Sequence, residues 1–242
     1  MKINKNVKHI VSFSGGKDST AMLLMMLERG MPVDDIIFCD TGVEFPQMYE
    51  HIKQVDKYIG RKITILHGDY DYEYYLFEYE PKRKNPKWIS VKGYSFPCVH
   101  ARWCTQALKV TPINRYLRQY KGEEVKQYIG IAYDEPKRIR DKCYPLVDWK
   151  ITEKQALEYC YSKGFTWGGL YEHFKRVSCW CCPFQGIKEL RNLRKFYPEL
   201  WEKLKDWQGK TRRKFTPRAS VFELEERFVK EDKLEQMQMK LF

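Results

Sequence analysis

The sequence predicts an α/β fold: a parallel sheet with covering helices, followed by a helical, cysteine-containing C-terminal extension. Three observations lead there. Apolar runs at 9–13, 34–42 and 61–69 alternate with helix-favouring stretches at 18–29 and 46–59, the βαβαβ pattern of a parallel sheet. Each apolar run ends in a polar group, Ser14, Asp40 and His67 in turn, and ligands of such sheets sit at the carboxyl ends of the strands. From Gly164 onward the alternation gives way to a basic, mostly helical region. The expected division is an α/β domain over 1–150 and the extension over 151–242.

The elements follow in order. HIVSF (9–13) reads as a buried strand. From Asp18 to Arg29 nearly every position favours helix, and AMLLMML is apolar nearly all round, as in a helix enclosed by the core. Gly30 stops it, with Pro32 beyond. DDIIFCDTG (34–42) is a strand ending in a polar turn, and Pro46 opens a helix to Ile59. RKITILHGD (61–69) is the third strand. EPKRKNPKWISVKGYSFP (80–97) is an irregular basic loop. Its Lys82, Arg83, Lys84 and Lys87 read either as a grip on a polymer or as a soluble flap. A helix over 105–120 is interrupted or restarted at Pro112, and VKQYIGIAYDE (125–135) is a fourth strand. Thr152 caps a helix to Lys163. The chain carries no internal repeat.

Composition narrows the class. The 242 residues are 43% hydrophobic and 31% charged, an ordinary globular balance. Aromatics reach 15%, dominated by tyrosine, so some rings are expected to face a ligand. The formal charge of +12 suits a polyanionic partner or a plainly soluble surface. The start is polar and no apolar run approaches a membrane span, so the expectation is a cytoplasmic protein with no membrane partner. Eight cysteines in that setting point away from a disulfide framework and toward metal, cluster or thiol chemistry.

The stretch VSFSGGKDST (11–20) carries the sharpest signal. Gly15 and Gly16 permit positive φ and close approach of the backbone to a ligand. The helix that follows directs free N–H groups and its dipole at the same spot. Ser14, Ser19 and Thr20 add hydroxyls and Lys17 a charge, so the whole reads as a phosphate cradle. The spacing is neither G-x-x-x-x-G-K-[ST] nor G-x-G-x-x-G. Asp40, Thr41 and Gly42 form a second polar turn beside it, with Asp40 able to accept from an adenine amine or a ribose.

SGGKDS (14–19) resembles the pyrophosphate loop of the PP-loop ATP pyrophosphatase superfamily, and CDTGVEFP (39–46) resembles its phosphoadenylylsulfate (PAPS) reductase branch. That branch also includes sulfate adenylyltransferase small subunits and a DNA phosphorothioation subunit. The resemblance implies an adenine nucleotide α-hydrolase-like (Rossmann-like) fold, an ATP or PAPS-type ligand, and chemistry at the α-phosphorus or its sulfate. It implies binding by Ser14, Gly15, Gly16, Lys17, Asp18, Ser19, Thr20, Asp40, Thr41 and Gly42, with Mg²⁺ assisting. RWCTQALKVTP (102–112) is similar to the branch's cysteine-then-lysine segment and offers Arg102 and Lys109. GIAYDEPKR (130–138) is similar to G-x-R-x-x-E-S-x-R, with Ala132 and Pro136 departing from it and Arg138 matching. Lys17, Asp18, Lys109 and Arg138 are the expected catalytic residues; Asp134 and Glu135 are lesser candidates.

Cys98 and Cys104 stand as C-x5-C, and Cys179 and Cys182 as C-x2-C, a knuckle whose two thiolates reach one metal. The four are the expected metal ligands, for a [4Fe-4S] cluster or a structural Zn²⁺. Cys181, inside the knuckle, is an alternative ligand. The branch's thiol-dependent reductases carry a cysteine in an E-C-G-[LI]-H tail, whereas KLEQMQMKLF follows here, so that form of reductase is not expected.

Cations from Lys188 to Arg218 surround Trp201 and Trp207, a composition that suits DNA or RNA or, equally, a solvated amphipathic helix. The leading expectation is an enzyme that adenylylates an acceptor, with sulfur transfer to nucleic acid at a cysteine-bound cluster and a sulfur-donor protein as a further partner. The alternatives are a sulfonucleotide reductase or sulfotransferase, and a non-catalytic nucleic-acid-binding protein.

Overall fold

A computed structural model describes residues 7–86, 89–177 and 179–239. Lys87 of the basic loop and residues 240–242 of the tail lie outside the described residues. In chain order the first elements are β1 (Val7–Ser12), α1 (Lys17–Glu28), β2 (Asp35–Asp40), α2 (Pro46–Ile59), β3 (Ile63–His67) and α3 (Tyr72–Phe77). Next come α4 (Trp103–Thr105), a π-helical turn (Gln106–Val110), α5 (Thr111–Leu117) and β4 (Glu124–Ile129). Then follow α6 (Pro145–Asp148), α7 (Glu153–Ser162), α8 (Leu170–His173), α9 (Ile187–Phe196), α10 (Pro198–Lys210) and α11 (Val221–Met239).

The chain forms two compact units, each assembled from two segments: 1–69 with 107–178, and 70–106 with 179–242. The boundary expected at 150 falls inside the first unit, because α7 packs on α1.

The first unit is an α/β layer structure around an all-parallel sheet of order β3-β2-β1-β4. In the central strand Ser12 aligns with Ile37 of β2 and with Ile129 of β4. Ile10, Val11, Ile36, Ile37 and Phe38 are buried, as strands covered on both faces require. Helix α1 is buried nearly all round, as its apolar sequence indicates. The fourth strand stops at Ile129 rather than continuing to 135. Beyond Gly130 the backbone turns, and Asp134 Oδ1 accepts the Glu153 N–H at 3.0 Å, so Asp134 serves the start of α7. Thr152 caps that helix in a reciprocal box with Gln155.

The second unit is helical and built on aromatic rings. Trp180 and Trp207 lie 5.0 Å apart between centroids, Tyr72 stacks on Trp207 at 5.5 Å, and Trp201 meets Phe228 at 5.8 Å. The last carbonyls of α3 are capped from outside it: the Tyr94 N–H donates to Tyr75 and the Ser95 N–H to Leu76. Gly93 makes this approach possible. A Cβ there would stand 2.3 Å from the Leu76 carbonyl oxygen, and its φ is +65°. Among the described residues no helix is long and apolar enough to cross a membrane.

Candidate functional site

The turn after β1 is held from two sides. Gly15 has φ +77°, and a Cβ on it would meet Met48 Sδ at 2.5 Å. The Ser19 hydroxyl accepts the Ser14 N–H at 3.1 Å and donates to the Gly16 carbonyl at 3.0 Å. Behind the turn, the Trp167 indole N–H donates to the Gly15 carbonyl at 2.7 Å. His51 stacks on Trp167 with centroids 4.2 Å apart, and its Nε2 lies 3.0 Å from Thr20 Oγ1. Burial lowers the His51 pKa to about 3, so the ring is neutral. Thr20 is fully buried and braces the turn from within; it offers no hydroxyl to a phosphate. Among the described residues no protein acceptor receives the N–H groups of Gly15, Gly16 or Ser19.

A cleft of about 180 Å³ opens at the carboxyl ends of β1, β2 and β4. Ser14, Ser19, Lys109 and Arg138 line it, together with Cys39 and Glu44. The sheet runs outward from β1 through β2 to β3 and then resumes with β4 on the other side of β1. The cleft therefore sits at the reversal of strand order, where such sheets bind ligands. Gly130 lets β4 close onto α1: a Cβ there would lie 2.6 Å from both Cα and N of Ser19. Lys109 comes from the π-helical turn. Pro112 has no N–H for the Leu108 carbonyl and its ring crowds that group, which accounts for the widened turn before it. The Cys39 thiol donates to the Lys109 carbonyl at 3.7 Å. Burial pushes that thiol up to about 11, against the Lys109 charge, so Cys39 is a protonated strut rather than a nucleophile.

Lys17 departs from its expected role. It is 6% exposed, and its ammonium donates to Glu153 Oε1 at 2.8 Å and Asp18 Oδ2 at 3.3 Å. Its N–H donates to the Tyr171 hydroxyl at 2.7 Å. A long side chain at the first position of α1 reaches the start of α7, where an acid in the first turn is favoured by the helix dipole. Asp18, Glu135 and Glu153 place carboxylate oxygens within 4.8 Å of one another. Burial raises the Asp18 pKa to about 6; Lys17 opposes the shift, and Glu153 and Glu135 add to it. Asp18 Oδ1 is buried with no hydrogen-bond partner among the described residues. Arg138, in the cleft, pairs with Glu135 at 2.6 Å.

Asp40 is occupied within its own turn. Oδ1 accepts the Gly42 N–H and the Tyr49 hydroxyl, each at 2.8 Å. Thr41 donates to Glu44 at 3.0 Å, and Gly42 has φ +73°. These three shape the rim of the second turn.

In the second unit, Cys179 and Cys182 share one tight turn, with the Cys182 N–H donating to the Cys179 carbonyl at 3.2 Å. Gln185 Nε2 donates to the carbonyls of Cys179 and Trp180 at 3.1 and 3.0 Å. Tyr72 is fully buried, which raises its pKa; Cys181, Cys104 and Cys179 add to the rise, and Cys181 shares a hydrogen bond with the phenol. Cys104, Cys179 and Cys181 thus lie near one phenol. Cys98 lies on a short bridge to Ala101. Arg102 stacks its guanidinium 5.2 Å from the Phe184 ring centroid.

In the basic C-terminal stretch the tryptophans follow the amphipathic-helix reading, one of the two that the sequence left open. Trp201 and Trp207 are each 1% exposed and belong to the core, so neither offers a face to a base. Six of its cations have acidic partners: Arg194 pairs with Glu225 and Asp232, Arg191 with Glu231, and Lys203, Lys205, Lys210 and Lys214 with Glu73, Glu202, Asp206 and Glu223.

Glu153, Tyr171, His51 and Trp167 carry no motif that marks them in the sequence. Glu153 lies 136 positions from its partner, and its one local signal, an acid after an N-cap threonine, is common to many helices.

Known proteins resemble this chain in part. Two uncharacterized proteins of Methanocaldococcus jannaschii are each 28% identical, over 84% of this chain and 41% and 48% of their own lengths. An uncharacterized nin region protein of Escherichia phage lambda is 32% identical over 55% of this chain and 51% of its own. The chain spans about half the length of the curated relatives it matches. Among solved structures, the phosphoadenylyl-sulfate reductase from Candida auris in phosphate complex aligns with TM-score 0.46 and 19% identity, over 74% of this chain and 83% of that one. The U34-tRNA thiolase NcsA from Methanococcus maripaludis with its [4Fe-4S] cluster aligns with TM-score 0.43 and 17% identity, over 94% and 73%. The model of the phosphoadenosine phosphosulfate reductase domain matches residues 8–185, the span that carries the SGGKDS turn and the cleft, and the protein belongs to that PP-loop family.

Proposed function

We propose that the protein binds ATP or a related adenylyl nucleotide and cleaves it at the α-phosphorus, adenylylating an acceptor. One observation carries this reading: a single cleft at the carboxyl edge of the sheet collects Ser14, Ser19, Lys109 and Arg138 from three separated segments. The N–H groups of Gly15, Gly16 and Ser19 hold the terminal phosphates. Lys109 and Arg138 stabilise charge on the α-phosphoryl oxygens and on the departing pyrophosphate. The bond between the acceptor oxygen and the α-phosphorus forms as the bridge to the β-phosphate breaks. The electron pair leaves on pyrophosphate and the acceptor proton passes to water.

Mg²⁺ would screen the phosphates, and Asp18, Glu135 and Glu153 would hold it. The fit rests on an all-carboxylate donor set and on Asp18 Oδ1, which is buried without a hydrogen-bond partner among the described residues. Lys17 restrains the mutual repulsion of these acids through its contacts with Glu153 and Asp18.

Cys98, Cys104, Cys179 and Cys182 would hold a [4Fe-4S] cluster or zinc, supported by the tight turn that joins Cys179 to Cys182 and by two of the four, Cys104 and Cys179, lying near the Tyr72 phenol. A cluster would supply a sulfur-handling centre, fed by a sulfur-donor protein; zinc would be structural.

The test is Mg²⁺-dependent exchange of labelled pyrophosphate into ATP. Exchange is expected, with loss in Lys109→Ala. A protein that neither exchanges pyrophosphate nor binds any adenylyl nucleotide overturns the reading. The family membership itself favours a second reading, a sulfonucleotide reductase or sulfotransferase, and sulfite release from a sulfonucleotide without exchange would select it.

A further inference from the structure

The second unit carries a run of tyrosine rings that the proposed reaction does not use. Tyr70 and Tyr74 stack with centroids 4.3 Å apart and are 49% and 37% exposed. Tyr58 and Tyr133 are about as exposed, but Tyr70 and Tyr74 lie face to face as a stacked pair. The run continues inward: Tyr74 meets Tyr79 at 6.4 Å, and Tyr79 stacks on Tyr94 at 5.0 Å.

Arginines stand at the inner end of this run. The Arg83 guanidinium donates to the Gly93 carbonyl at 2.7 Å, beside Tyr94, whose phenol it influences electrostatically. Arg213 donates from its side chain to the Phe96 carbonyl at 2.6 Å and from its N–H to Ser95 Oγ at 3.0 Å. Both are anchored by neutral carbonyls, and among the described residues no carboxylate lies within ion-pair distance of either. Arg212 lies close enough to both for their charges to depress its pKa, after desolvation. The contrast with α10 is plain, since Lys203, Lys205 and Lys210 there each have an acidic partner. Like charges brought together are unfavourable in the free protein and become favourable when a polyanion arrives.

We infer that the tyrosine run from Tyr70 to Tyr94 and the guanidinium cluster of Arg83, Arg212 and Arg213 form a binding surface for single-stranded nucleic acid. The guanidiniums take consecutive phosphodiesters, and the exposed phenol rings stack bases, the two elements of sequence-tolerant single-strand binding. Duplex would present phosphates but no open base faces to Tyr70 and Tyr74. The surface lies wholly within the second unit, and the inference does not rest on the nucleotide chemistry proposed above.

The test is fluorescence anisotropy with the full chain, without ATP, on labelled 20-nucleotide RNA, the same DNA sequence, and its duplex, across a salt series. Single strands are expected to bind with a steep salt dependence and the duplex more weakly; the RNA and DNA arms identify the natural polymer. Arg83→Gln with Arg212→Gln should weaken binding about tenfold and reduce the salt slope by about 0.7 for each phosphate no longer neutralised. Tyr70→Ala and Tyr74→Ala should each weaken it about fivefold or more with the slope unchanged. Arg83→Lys, which keeps the charge and guards against misfolding, should retain the slope. Lys205→Gln, on α10, should change nothing. No salt-dependent binding to either single strand overturns the inference. So does equal weakening in Lys205→Gln, or binding of polyglutamate as tight as that of RNA with the tyrosine substitutions silent.

Discussion

At position 15 only glycine satisfies two constraints at once: a left-handed φ of +77° and a Met48 sulfur 2.5 Å from where a Cβ would be. Gly15→Ala is expected to cost about 2–4 kcal/mol, combining backbone strain and overpacking, and to abolish nucleotide binding. Urea unfolding and equilibrium dialysis would check both. Lys109→Ala and Arg138→Ala, at the cleft wall, should each slow pyrophosphate exchange by about 10²–10³-fold while nucleotide affinity changes far less. His51 sets a pH dependence. Burial lowers its pKa to about 3 from an ordinary value of 6.5, so between these limits the unfolded chain binds the proton and the native ring does not. The His51 contribution to stability is therefore complete above about pH 6.5 and is lost toward pH 3, with a slope approaching 1.4 kcal/mol per pH unit. His51→Gln should flatten denaturation midpoints over that window. A midpoint whose pH profile matches the wild type would show that His51 is not the acid-sensitive group.

At the scale of elements, the cleft depends on two departures from regular geometry. The π-helical turn presents Lys109, and Pro112 is its cause, so Pro112→Ala should let a regular helix form and swing Lys109 away. The expected result is equal or greater stability with exchange reduced about tenfold or more, a split that a merely structural proline would not give. Gly130→Ala should push β4 off α1, since its Cβ has only the Ser19 backbone to displace, at about 1–3 kcal/mol and with loss of binding. Most of the architecture was legible because it is local. The apolar runs and the caps at Pro46 and Thr152 depend on neighbours in sequence, and the structure agrees there with the expected α2 limits of Pro46 and Ile59. The glycine turn and Arg138 were legible from motif. What was not legible is long-range: Lys17 turned toward Glu153, Trp167 bonded to Gly15, and Trp201 and Trp207 taken into a core rather than left among cations. Amphipathic sequence states that a ring is apolar, not which surface its neighbours leave uncovered.

At the scale of the molecule, the two compact units make the proposed ligands separable. The cleft and the carboxylate trio lie in the first unit, and the thiols around Tyr72 lie in the second. A ligand that binds only the folded form stabilises the structure that holds it by about 2.7 kcal/mol at a hundredfold excess over its Kd. Where opening is local, that energy appears as slowed amide exchange in the segments that must open to release the ligand. Saturating Mg²⁺–ATP should thus slow exchange about a hundredfold in β1, α1 and β4, and leave 98–104 and 179–185 near their unliganded rates. Stripping metal with a chelator under anaerobic conditions should do the reverse, raising exchange at 179–185 and around Tyr72 while the first unit is unmoved. Protection that spreads evenly over both units on nucleotide addition would mean that the chain opens as one cooperative body, and a chelator without effect on the cysteine segments would remove the support for a bound metal or cluster there.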